Sequence, residues 1–179
     1  MSTQTLFVLS NILGGLAVLG GYYWGITSFS EYREALWGGV HGALRTILTV
    51  SMLFSALGYL LFCYVSLFRD GLVNFNEVSN LGSYTVVMLV AIFLTSAALW
   101  MPSTIYYLKT QNSIWWIVSI ASLWVTALAL LALLYISASA DIDSIGVVTK
   151  YLAIAGLASI TFHCLVFDAV IWVILFHKY

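Results

Sequence analysis

The spacing of charged side chains constrains this sequence more than any other feature. No Asp, Glu, Lys or Arg precedes Glu31. An α-helix rises about 1.5 Å per residue, so about 20 apolar residues cross about 30 Å of hydrocarbon. Four uncharged stretches are long enough to hold such a helix: 1–30, 46–68, 78–108 and 110–140.

The composition excludes most soluble folds. Only 7% of the 179 residues are charged, whereas about a quarter are charged in a typical soluble domain. The six basic and seven acidic residues give no basic face, so we expect no nucleic-acid partner. The sequence therefore predicts an integral, multi-pass membrane protein that contacts membrane lipid and forms a single domain over residues 1–179.

We predict an all-α fold with five transmembrane helices in one bundle. Strands of a membrane barrel would alternate polar and apolar residues, whereas the range 128–135 is apolar at every position. Ser28 followed by Glu31 is typical of a capping box and predicts a short interfacial helix at about 29–36. The predicted transmembrane helices are 6–24, 40–68, 84–107, 113–136 and 151–176.

Basic residues near the helix ends predict the orientation. Under the positive-inside rule, the side with more Lys and Arg faces the cytoplasm. This rule places the N-terminus outside and the C-terminus in the cytoplasm. The predicted cytoplasmic set is Arg33, Arg45, Lys109 and Lys178, and the opposite set is Arg69 and Lys150.

Three ionisable side chains lie inside the predicted helices: Arg45, His163 and Asp168. A central Arg or Asp costs about 2.5 to 3.5 kcal/mol on insertion scales, so it normally faces a partner or a polar cavity. Arg45 and Asp168 both lie about 12 Å from the predicted cytoplasmic ends by the helical rise. We therefore predict that they form an ion pair or share an aqueous pocket. Such a pair either locks two helices together or belongs to an ion or ligand pathway.

Two histidines accompany these groups. His163 precedes Asp168 by five residues, which on an α-helix rotates it by about 140°, so we expect the two side chains on different faces. His41 lies one turn before Arg45 on the same face. A haem held by His41 and His163 is disfavoured, because their predicted depths differ by roughly 10 Å. No Cys or His pair has zinc spacing, so we expect no metal and no cofactor.

Hydroxyl groups recur at helical spacing on the third and fourth predicted helices. They either bond between helices and back to their own helix, or form the polar wall of a pathway. Pro102 removes a backbone hydrogen bond and predicts a kink next to Trp100, which serves either as a gate or for packing. The hydroxyl positions are Ser96, Ser119, Ser122 and Thr126.

Small residues at intervals of four predict close helix contacts. The same faces suit homo-oligomers or partners in a membrane complex. Cys63 and Cys164 are predicted about 12 Å apart in depth, which is too far for a disulfide. The small residues are Ala17, Gly21 and Gly25 in one run and Gly38 with Gly42 in another.

Our leading functional hypothesis is a small membrane channel or transporter-like protein with a polar interior near the cytoplasmic side. The alternative is a structural or assembly subunit of a larger membrane protein complex. A third hypothesis is an intramembrane enzyme or haem carrier. Catalysis is the least favoured class, because the sequence has no phosphate loop, nucleophile elbow or HExxH motif.

Overall fold

The computed structural model describes residues 1–79, 82–141 and 146–177, and all regular structure in these ranges is helical. Five helices are long and apolar enough to cross a membrane, as predicted. The fifth of them is continuous in space but changes its hydrogen-bonding pattern along its length. The helices are α1 (Thr3–Ser28), α2 (Gly42–Phe68), α3 (Gly71–Ser79), α4 (Thr85–Thr110), α5 (Ser113–Ser139), α6 (Val147–Phe162), a π-helical segment (His163–Trp172) and a last turn, α7 (Val173–Leu175).

The sequence located the long helices within a few residues but misjudged two connections. The range 70–83, which connects the predicted helices 40–68 and 84–107, contains the short helix α3. The predicted interfacial helix consists instead of two 3₁₀ turns, Ser30–Tyr32 and Ala35–Trp37. Ser28 is the last residue of α1 and caps no following helix, so the capping-box interpretation was wrong.

The long helices pack in the spatial order α1, α4, α5, α6 and α2. Between α1 and α2 the contact is made by longer side chains. The hydroxyl of Tyr59 on α2 donates a hydrogen bond to Asn11 Oδ1 on α1 at 2.7 Å, and the rings of Phe7 and Phe62 meet edge to face. In the other half of the bundle, residues of α1 and α2 line a cavity.

Small residues allow close backbone approach at some of the predicted positions and at one that the sequence did not indicate. A Cβ at Gly25 would lie 2.7 Å from Met101, so this glycine does bring α1 against α4. Ala17 is exposed and makes no such contact. The tightest approach joins α2 to α6, where a Cβ at Gly58 would lie 2.6 Å from the carbonyl oxygen of Gly156.

The second predicted run of small residues, Gly38 with Gly42, serves turns rather than helix packing. Both residues have positive φ angles, +53° and +57°, which favour glycine. Gly38 also lies so close to the backbone of Phe176 that a Cβ would come within 2.6 Å of it. The prediction was wrong because the chain reverses between α1 and α2. Gly38 and Gly42 are therefore not one turn apart on a continuous helix.

The two ends of the bundle differ in how they are filled. We call one the Phe75 end, where α3 and a fully buried set including Phe7, Phe62 and Phe75 pack the interior. We call the other the Trp37 end, where the segment 29–41 folds back across the bundle. The Gly39 amide donates to the Leu175 carbonyl at 3.0 Å, and Trp172 Nε1 donates to the Leu36 carbonyl at 2.9 Å.

Candidate functional site

The π-helical segment brings together two ionisable side chains that α-helical geometry would separate. A π-helix joins residues five apart by hydrogen bonds, where an α-helix joins residues four apart. His163 and Asp168 are five apart, and His163 Nε2 lies 3.5 Å from Asp168 Oδ1. The expectation that they occupy different faces was therefore wrong. The sequence contains no feature that we can connect to the change from α- to π-helix.

Ser51, which the sequence did not indicate, contacts the second ring nitrogen of His163. Ser51 Oγ on α2 lies 2.9 Å from His163 Nδ1, so both ring nitrogens face polar atoms. The His163 side chain is only 6% exposed, whereas that of Asp168 is 32% exposed. Ser51 lies in the same uncharged stretch as many packing residues, and only its position opposite His163 distinguishes it.

Arg45 does not form the predicted ion pair with Asp168. Its two terminal nitrogens bind the two carboxylate oxygens of Glu34 at 2.7 and 3.3 Å, and its guanidinium lies 4.6 Å from the Trp37 ring centre. The hydrogen bond from Arg45, and secondly its positive charge, lower the pKa of Glu34 below its ordinary value. His41 is exposed just before the first turn of α2.

Arg45 and Asp168 nevertheless line one cavity, and the predicted filling of that space by water stays a prediction. The cavity consists of two adjoining compartments that share lining residues: one of about 200 Å³ nearer the middle of the bundle, which we call the deep compartment, and one of about 260 Å³ nearer the Trp37 end, which we call the mouth compartment. Asp168 and His163 line both compartments, and Arg45 and Glu34 line the mouth. The two ion-pair partners at the Trp37 end are thus connected by open space to the carboxylate in the interior.

Three aromatic rings form the wall that the two compartments share. Tyr22 from α1, Trp100 from α4 and Trp172 from the π-helical segment line both compartments together with Asp168. The ring centres of Tyr22 and Trp100 are 5.6 Å apart, and those of Trp100 and Trp172 are 5.3 Å apart with planes at 74°. The hydrogen bond to Leu36 fixes the Trp172 indole in place.

Most of the predicted hydroxyl positions bond between α4 and α5 instead of facing the cavity. Ser96 and Thr126 share a hydrogen bond of 2.8 Å, and Thr104 and Ser119 share one of 2.7 Å. Ser122 donates back to the Ser119 carbonyl at 2.7 Å. Of the four hydroxyl residues predicted from the sequence, Thr126 also lines the deep compartment.

Pro102 lies inside α4, two residues after the cavity residue Trp100. The hydroxyls of Ser103 and Thr104 both donate to the Trp100 carbonyl, at 3.0 and 2.8 Å. Within the described part of the chain, Trp100 Nε1 is buried without a hydrogen-bond partner. A role for Trp100 and Pro102 as a gate stays a prediction.

These features define a class: a helical chain with five potential membrane spans and a cavity whose two compartments share Asp168, His163 and the rings of Tyr22, Trp100 and Trp172. No group of three or more His, Cys, Asp or Glu side chains in the described ranges is arranged to hold a metal ion. Both cysteines are free thiols. The chain matches no family model, no curated protein and no solved structure.

Proposed function

We propose that the chain is a multi-pass membrane protein of the transporter type, which binds a small solute in the cavity and uses Asp168 to link solute binding to proton binding. The observation that carries this proposal is the Asp168–His163 contact inside a cavity that the Glu34–Arg45 pair lines at its mouth. A buried charge in a membrane protein normally marks a substrate or proton pathway.

The shape of the cavity favours a transporter over a continuously open channel. Along α4 its lining extends from Met101, near the Trp37 end, only as far as Phe93. Beyond that level the interior is filled by buried side chains that include Phe62, Leu130 and Leu133. A cavity that packing closes toward the Phe75 end does not form a continuous pore, and alternating access requires a site with such a closed side.

The charge balance of the cavity explains how a solute would compete with a proton. A carboxylate inside the membrane is stabilised either by protonation or by a positively charged neighbour. For a positively charged solute, binding of a proton and binding of the solute at Asp168 would therefore exclude each other, whereas a neutral or anionic solute would bind together with the proton. The other titratable or charged groups that line the cavity are Tyr22, Arg33, Glu34, Arg45, His163 and Cys164.

Flux measurements in proteoliposomes test this proposal. Purified chain is reconstituted with an entrapped pH dye, and uptake is followed for three radiolabelled solutes that do not cross lipid: benzyltrimethylammonium, benzenesulfonate and ribose. We expect uptake of at least one solute together with a change in internal pH, and loss of both with Asp168→Asn. Asp70→Asn, an exposed acid between α2 and α3, is the matched control.

The proposal fails if all three solutes accumulate no faster than in protein-free vesicles. It also fails if Asp168→Asn transports and couples as well as the wild type. The other hypotheses from the sequence stay predictions: a structural or assembly subunit, an intramembrane enzyme or haem carrier, and a homo-oligomer. The assignment of the Trp37 end to the cytoplasm stays one as well.

A further inference from the structure

We infer that the solute is an organic cation, namely an ammonium group carried by a small aromatic or aliphatic body, held between Asp168 and the rings of Tyr22, Trp100 and Trp172. This inference rests on the proposed function and names its class of substrate. It follows from three observations: the charge that the cavity leaves uncompensated, the arrangement of its rings and its size.

Asp168 is the acidic group lining the cavity whose charge lacks a permanent partner, and the exposed Arg33 of the mouth compartment is the basic group without a carboxylate partner among the described residues. Among the described residues, His163 is the one basic side chain within 4.0 Å of the Asp168 carboxylate, and an imidazole is positive only when protonated. In contrast, the carboxylate of Glu34 already binds Arg45 with both oxygens. A cation that enters the cavity would therefore be held by Asp168 rather than by Glu34.

An anionic solute finds less in the same cavity. Arg45 is engaged by Glu34, and Arg33 Nε donates to the Ile26 carbonyl at 2.7 Å. Both guanidinium groups belong to the mouth compartment and not to the deep one. An anion that moved past them would approach the Asp168 carboxylate, which repels it.

The aromatic wall provides the second element of a cation site. The negative faces of aromatic rings attract ammonium groups within about 6 Å of the ring centre, most strongly when water is excluded. The indoles of Trp100 and Trp172 stand at 74° to each other with centres 5.3 Å apart, and both line the cavity beside Asp168. Two differently oriented rings and a carboxylate thus surround one volume.

The volumes of the two compartments indicate the size of the solute. The compartments enclose about 200 and 260 Å³, and both are bordered by Asp168. At about 30 Å³ per water, these volumes correspond to about seven and nine waters. A 2-phenylethylammonium ion has about nine non-hydrogen atoms, a number similar to that of the waters that one compartment holds. Larger amines would extend from one compartment into the other past Asp168.

Calorimetric titration tests the inference on the full chain in nanodiscs of neutral phosphatidylcholine at pH 7. The probes are 2-phenylethylammonium, the neutral analogue 2-phenylethanol and the anion phenylacetate, with empty nanodiscs subtracted. We expect the ammonium to bind at least tenfold more tightly than either analogue. Equal affinities, or tighter binding of the alcohol or the anion, would overturn the inference without any variant being needed.

Variants then locate the site. Asp168→Asn should weaken ammonium binding at least tenfold, Asp168→Glu should weaken it less, and Trp100→Leu should weaken it several-fold. Trp124→Leu removes an exposed indole on α5 that does not line the cavity and should change nothing. Unchanged ammonium affinity in both Asp168→Asn and Trp100→Leu, each checked for folding by circular dichroism and gel filtration, contradicts the site.

The two proposals fail separately. If benzenesulfonate or ribose is transported with proton coupling while 2-phenylethylammonium does not bind, the cavity is a transport site but the inferred solute class is wrong. If the ammonium binds as expected but no solute is taken up into vesicles, the binding site stands and the transport function is wrong.

Discussion

The imidazole Nε2 of His163 lies 3.5 Å from Oδ1 of Asp168 because the chain between them is π-helical. In this geometry a residue that would face another side of the helix is brought next to the carboxylate. Ser51 holds the second ring nitrogen, so the imidazole has a fixed orientation in the bundle. Asp168 keeps part of its surface open to the cavity, while His163 stays packed.

The first prediction concerns access to the cavity. In a chain with Cys63→Ala and Cys164→Ala, we expect Asp168→Cys to react with a small polar methanethiosulfonate reagent in nanodiscs, because position 168 lines the cavity. Ser119→Cys should react at least tenfold more slowly, since Ser119 is fully buried between α4 and α5.

Labelling is measured by mass spectrometry against time. Leu128→Cys is a second control that should react as slowly as Ser119→Cys, because Leu128 is 57% exposed near the middle of the span Ser113–Ser139, where lipid rather than water would contact it. If position 168 reacts no faster than position 119, the cavity is closed to water and the transport proposal loses its basis.

The second prediction concerns the Glu34–Arg45 pair at the mouth. Glu34→Gln removes the charge that holds Arg45, and we expect faster amide exchange in the segment 34–40 at pH 7. Since the pKa of Glu34 is lowered, the stabilisation by the pair is present above the ordinary Glu value of about 4.3 and is lost as the pH falls through the pKa of the folded state.

Hydrogen exchange measured by mass spectrometry checks this prediction. The measured quantity is the ratio of the amide exchange rates of Glu34→Gln and wild type in the segment 34–40 at each pH. The ratio should approach one below the pKa of Glu34. Glu31→Gln is the control, since Glu31 lies in the same exposed segment and forms no ion pair with the described residues. Equal exchange in wild type and Glu34→Gln at pH 7 would show that the pair does not hold the segment.

The sequence predicted the bundle because long stretches with few or no charged residues set the membrane spans. It could not predict the partners of the charged groups. Arg45 and Asp168, which the sequence predicts at similar depths, line the same cavity without touching each other as an ion pair. Arg45 pairs with Glu34 because the segment 29–41 folds back, and that fold depends on burial of Leu36 and on its carbonyl accepting from Trp172. Those contacts lie more than a hundred residues apart in the chain.

The contact between His163 and Asp168 could not be predicted from the sequence for a different reason. Reading faces from residue spacing assumes about 100° of rotation per residue, which holds for an α-helix but not for a π-helix. The spacing of the hydroxyl residues does not distinguish a hydroxyl that faces another helix from one that faces a cavity. Ser96 and Thr126 illustrate this, because one hydrogen bond joins them although only Thr126 borders the deep compartment.

The third prediction concerns the contact between α2 and α6. Gly58→Ala would place a Cβ 2.6 Å from the Gly156 carbonyl oxygen, and backbone on both sides leaves little room to adjust. We expect a loss of about 1 to 3 kcal/mol in the free energy of unfolding, the usual range for overpacking. Unfolding by SDS in mixed micelles measures the change.

Gly15→Ala is the matched control for this prediction. Gly15 lies inside α1, and an alanine Cβ at this position would have no neighbouring atom within 4 Å. Replacing it should be neutral or stabilise by up to about 1 kcal/mol, because alanine is the better helix former. The packing argument is contradicted if Gly58→Ala and Gly15→Ala unfold at the same SDS fraction.

The fourth prediction concerns the hydrogen bond between Ser96 and Thr126, and it separates packing from pathway. A double-mutant cycle with Ser96→Ala and Thr126→Val should give a coupling energy of about 0.6 kcal/mol and no more than about 1.7, as for other hydrogen bonds between membrane helices. Ser96 and Thr104 bond to different partners on α5, so the effects of Ser96→Ala and Thr104→Val on the free energy of unfolding should be additive.

Ser96→Ala should also leave 2-phenylethylammonium binding unchanged, because Ser96 does not border the cavity. Loss of that binding in Ser96→Ala, with folding intact, would mean that the hydroxyls of α4 and α5 form part of the pathway after all.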